Sequence, residues 1–72
     1  MLVSDAAEIL VLARINARNA VTFARWSETE AFNPVRVDGR TFRNVSAWRA
    51  HQAATQAGDC LRAAAGLDVT KR

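Results

Sequence analysis

Seventy-two residues allow one small domain, and a core of that size is marginal unless something staples it. The single cysteine, Cys60, excludes an internal disulfide, and with one histidine, His51, it is too little for a structural zinc site. The net charge is +3, and nine of the ten basic residues are arginine, a bias suited to planar and stacking contacts at interfaces or on phosphates.

The first helix is expected over about residues 5–30, with Asp5 and Glu8 as a D-x-x-E capping box. On a helical wheel Leu2, Ala6, Ile9, Leu12, Ala13, Ala20 and Phe23 share one face. Asn16 falls in that stripe, and Arg14, Arg18 and Arg25 lie opposite. Leu10, Val11, Ile15, Val21 and Trp26 widen the apolar surface beyond one stripe, which calls for more than one neighbour. In so short a chain the second neighbour is expected to be another protomer. The longest apolar run, ILVL at 9–12, is too short to cross a membrane.

Asn33-Pro34 should end this helix, because proline disfavours helical geometry in the residue before it. The stretch VRV-DG-RTF that follows reads either as a small β-hairpin or as a connector. Asp38-Gly39 is a turn signal, but each flank is only three residues long. Phe42, Val45 and Trp48 then step by three, which is helical spacing. The expectation is a connector over about 31–41 and a second helix over about 42–65.

In the second helix Ala47, Ala50, Ala54, Ala57, Leu61 and Ala64 form a heptad seam of small residues. Gly58 either permits a close crossing beside Ala54 or breaks the helix before Asp59; the unbroken helix is preferred. Gly66 reads as a C-terminal stop, with a frayed tail from Asp68. The expected fold class is all-α: one domain, a two-helix antiparallel hairpin dimerising into a four-helix arrangement. Its dimer and core residues are Ile9, Leu12, Asn16, Phe23, Ala47, Ala50, Ala54, Ala57 and Leu61. Asn16 either fixes register inside the bundle or sits at the rim of the stripe.

Chemistry is poorly supplied. No carboxylate pair has acid/base spacing, no glycine-rich phosphate loop exists, and His51 and Cys60 point to different sides of their helix. No enzyme, metal or cofactor is expected, and neither is a small-molecule substrate or a membrane. The cluster Arg40, Phe42 and Arg43 is the preferred partner-binding site, since aromatic and arginine side chains dominate interface hot spots. Arg14 and Arg18 could widen it, and Phe42 could equally fold inward to close the helical hairpin. Interspersed Glu28, Glu30 and Asp38 argue against direct nucleic-acid binding.

RNAVTF at 18–23, GRTFRNVSAW at 39–48 and GDCL at 58–61 resemble a family of very small early proteins of temperate Pseudomonas phages, anti-activators of quorum sensing. The resemblance spans roughly residues 10–65 in short, scattered identities. It implies a dimeric two-helix hairpin without catalysis, acting in the host bacterial cytoplasm. Its targets would be a LuxR-type activator, kept from DNA, and the ATPase that assembles type IV pili. The family element R-S-Y-R falls on Arg40, Thr41, Phe42 and Arg43, where Phe42 lacks the tyrosine hydroxyl. Helix 2 is also one residue longer between Trp48 and Gly58, which disturbs the register beyond. A rival expectation is a virion assembly adaptor similar to the small phage head–tail joining protein. It requires ladder-paired strands at 35–37 and 40–42. A nucleic-acid-binding module is the third, and would show steeply salt-dependent DNA binding.

Overall fold

The computed structural model describes residues 2–70, with side chains from residue 5 to residue 66. The chain runs through α1 (Leu2–Thr29), β1 (Val35–Val37), β2 (Arg40–Phe42) and α2 (Val45–Thr70). The two long helices pack antiparallel and supply nearly all tertiary contact.

On α1 the positions that α2 covers are Ala6, Ile9, Ala13, Asn16, Ala20, Phe23 and Ser27, in alternating steps of three and four. On α2 the matching set is Ser46, Ala50, Ala53, Ala57, Cys60 and Ala64. Both are heptad stripes, and both are built mostly from small side chains. The second differs from the seam expected from sequence. Ala50, Ala57 and Ala64 hold their place, but Ser46, Ala53 and Cys60 replace Ala47, Ala54 and Leu61. Ala47 is half-buried, Ala54 is exposed and Leu61 is 54 % exposed. Leu12, expected in the α1 stripe, is 51 % exposed. Where alanine occupies adjacent positions, as at Ala53 and Ala54, apolarity alone cannot say which one faces inward; a hydrogen-bonded serine at 46 decides it.

Several boundaries also shift. α1 begins at Leu2, so Asp5 lies within the first turn instead of capping it; there its charge complements the helix dipole. α2 begins at Val45, passes through Gly58 and Gly66, and continues to Thr70. Each glycine costs about 1 kcal/mol relative to alanine, which a long alanine-rich helix absorbs. Gly58 makes no close crossing: a Cβ there would meet only the Arg62 guanidinium of its own helix, at 3.6 Å. Residues 71 and 72 of the expected tail lie outside the described residues.

The connector is a β-hairpin. β1 and β2 pair antiparallel, with Val35 opposite Phe42, Arg36 opposite Thr41 and Val37 opposite Arg40. Asp38 and Gly39 have φ of 49° and 79°. Two successive positive φ values make a two-residue type I′ turn, whose twist matches the strands it joins. So short a ladder needs support. It finds it on the side of α2 turned away from α1, where Phe42 meets the ring of His51 with centroids 5.3 Å apart.

The elbow between α1 and the hairpin is tied by polar groups. Asn44 is 1 % exposed. Its Oδ1 accepts from the Ala47 amide at 3.0 Å, which makes it the N-cap of α2. Its Nδ2 donates to the Ser27 carbonyl at 3.0 Å and the Ala31 carbonyl at 3.5 Å, two acceptors at the end of α1. The Ser46 hydroxyl donates to the Glu30 carboxylate, and the Asn33 amide to the Arg43 carbonyl. α1, α2 and the hairpin thus lie side by side in one layer, with Cα extents of 48 × 23 × 12 Å. The radius of gyration is 15.1 Å, against about 11 Å for a compact chain of this length.

Candidate functional site

The turn Asp38-Gly39 brings Arg40 back along β1, and the pleat aims Phe42 at α2. Arg40, Phe42 and Trp48 with His51 then frame an open cleft of about 450 Å³ between the hairpin and α2. Val37, Asp38, Gln52, Thr55 and Gln56 complete its wall. The Arg40 guanidinium lies 5.4 Å from the Phe42 ring centre, within cation–π range. Arg40 Nη1 is 3.3 Å from His51 Nε2. Arginine can only donate, so Nε2 is the acceptor in this contact. His51 is the member of this corner that the sequence did not suggest. Its position one turn after Trp48 carried no signal until the hairpin was known to lie against that side of α2.

Phe42 is half-buried in this arrangement, so it both closes the hairpin onto α2 and keeps an open face. Arg43 does not join it. Its Nε donates to the Ser27 carbonyl at 3.3 Å, and its guanidinium lies 5.9 Å from the Phe32 ring centre, on the α1 side of the elbow. β2 ends at Phe42, and Arg43 lies in the bend that leads into α2, which is where the two part. Arg14 and Arg18 are roughly 16–22 Å along α1 from its C-terminus. Arg14 lines a groove with Leu10, Ala13, Ala17, Ala57 and Leu61; Arg18 is exposed. The five arginine and phenylalanine positions read as one binding set therefore fall on three separate surfaces.

Of the residues read as core or dimer seam, Ile9 and Phe23 are half-buried against α2, and Phe23 packs edge-on to Trp26 at 5.4 Å. Asn16 is half-buried; its Nδ2 donates to the Leu12 carbonyl at 3.0 Å, within its own helix. It also lines a polar groove with Asn19, Arg49, Gln52 and Gln56. Cys60 faces the helix seam and His51 faces the hairpin, so they form no nucleophile–base pair. Among the described residues no three His, Cys, Asp or Glu side chains come together as metal ligands. Nor is any described helix long and apolar enough to cross a membrane.

Among the described residues the buried apolar side chains are Ala13, Ala53, Ala57 and Ala64. Leu10, Val11, Leu12, Ile15, Val21, Trp26 and Phe32 all stay about half exposed or more. A single layer of helices leaves both of its broad sides open, and stable domains ordinarily close at least one with a second layer. Comparison of the chain with protein-family models, curated proteins and solved structures gives no match.

Proposed function

We propose that this chain is a non-enzymatic phage assembly adaptor of the head–tail joining kind, acting in the host bacterial cytoplasm. The observation that carries the reading is the ladder Val35–Val37 with Arg40–Phe42 set between two long helices. That chain order is what an adaptor of this kind requires, and a plain two-helix hairpin lacks it. The likeness is one of fold order, and fold order by itself hosts many functions. The physical support is the surface: half-exposed Leu12, Ile15 and Trp26 on α1, together with the hairpin corner, suit burial against other protein chains.

A second reading, an inhibitor that covers a functional surface of a host LuxR-type activator or pilus ATPase, draws on the corner Arg40–Phe42–His51. Aromatic and arginine side chains at a cleft mouth suit a hot spot. It would need a smaller contact than the one read from sequence, because Arg43 faces elsewhere.

Mass spectrometry of purified phage particles separates the two. An adaptor is a fixed-copy component of the particle. Absence from particles, combined with retention of a host regulator by the wild-type chain and its loss with Phe42→Ala, would overturn the adaptor reading in favour of the second.

A further inference from the structure

One broad side of the layer is self-complementary. Leu10, Arg14, Ala17, Val21, Ala24 and Glu28 form a second heptad stripe on α1, in steps of four and three, beside the stripe that meets α2. All six are exposed, and neither Arg14 nor Glu28 has an ion-pair partner among the described residues. Arg14 and Glu28 stand seven residues either side of Val21. On α2 the same side carries Ala47 and Ala54, and Leu61 shares a groove with Leu10 and Arg14.

We propose that this side binds a second copy of the chain across a two-fold axis near Val21, running across the helices in the plane between the copies. Such an axis stacks α1 antiparallel on the partner's α1 and pairs Arg14 with the partner's Glu28, twice. The antiparallel register places Ala50 level with Val21, since Arg49 reaches Phe23 and Ala57 lies by Ala13. The axis therefore also sets Ala47 against the partner's Ala54, and small side chains line the closest approach on both helices. The area agrees. The chain exposes 5343 Å², about 900 Å² more than a compact monomer of its mass would, and a standard interface covers about 800 Å² per partner. This deepens the interaction-module reading: the paired side is used by the chain itself, and the hairpin corner and the Leu12–Trp26 side remain for other proteins.

Sedimentation equilibrium of the wild type, Arg14→Glu, Glu28→Arg and the double exchange tests the pairing, with far-UV circular dichroism to verify folding. The expected result is a wild-type dimer, association weakened roughly ten-fold or more by each single exchange, and recovery in the double exchange. As a second measurement, Val21→Cys in a Cys60→Ser background should form an intermolecular disulfide readily, while Asn19→Cys, on the opposite side beside Asn16 and Gln52, should not. A folded wild-type monomer overturns the proposal, as do single exchanges without effect, a double exchange without recovery, or crosslinking through position 19 in preference to 21. Particle content and partner capture are read separately, so a monomer that is nevertheless found in particles defeats the pairing and leaves the adaptor reading standing.

Discussion

At the elbow, the most deeply buried side chain among the described residues is an asparagine, and no buried polar side-chain atom there lacks a partner. Along the body of the helical pair, the buried apolar residues among those described are alanines, and most of the large apolar side chains, Ile9 and Phe23 apart, are exposed. The elbow is therefore specified by direction, since each hydrogen bond there fixes an angle. The body is specified by little more than the absence of bulk, and alanine burial supplies little hydrophobic free energy per residue. Shape comes from one end, and most of the apolar area is left for whatever covers the sides.

Asn44→Ala should have the largest effect. It removes the cap of α2 and leaves the Ser27 and Ala31 carbonyls short of a donor, for a loss of about 2–4 kcal/mol in urea unfolding. Asn44→Asp keeps the cap acceptor but not the donor, so it should fall between alanine and wild type. If the elbow mattered no more than the body, Asn44→Ala would cost no more than an average surface change.

Next comes the body. Ala57→Leu, facing α1, should destabilise by about 1–3 kcal/mol through overpacking. Ala54→Leu, three residues away and exposed, should leave the unfolding midpoint of the dilute chain within about 0.5 kcal/mol of wild type. Equal effects at the two positions would mean that the seam is not where the structure puts it.

Gly39→Ala should cost about 1 kcal/mol, because a positive φ of 79° is strained for a residue with a Cβ even though the space there is empty. Ser46→Ala, which removes the bond to Glu30, should cost a similar or smaller amount, about 0.5–1.5 kcal/mol in the same assay.

The helices were legible because their signals are long: the 3–4 spacing from Ala6 to Phe23 and the break at Asn33-Pro34 need no tertiary knowledge. The hairpin was legible only as a possibility. Its turn residues are plain in Asp38-Gly39, but what makes three-residue strands persist is the outer side of α2, with His51 beneath Phe42, and that is not a local property. The steps from Phe42 to Val45 to Trp48 imitated a helix because the strand end and the helix start happen to fall three residues apart. Asn44 carried a readable signal, an N-cap residue before a helix. Its second role, donating to the end of α1 seventeen residues earlier in sequence, did not. The arginine cluster misled for a related reason: β2 ends at Phe42 and the chain bends at Arg43, so Arg43 went with Phe32 while Arg40 stayed with Phe42.

The most direct measurement is thermal unfolding by circular dichroism over a hundred-fold range of protein concentration. A layer completed by a second copy melts at a temperature that climbs with concentration, because association stabilises only the folded chain. A midpoint that stays constant across the range, with a cooperative transition, would contradict it.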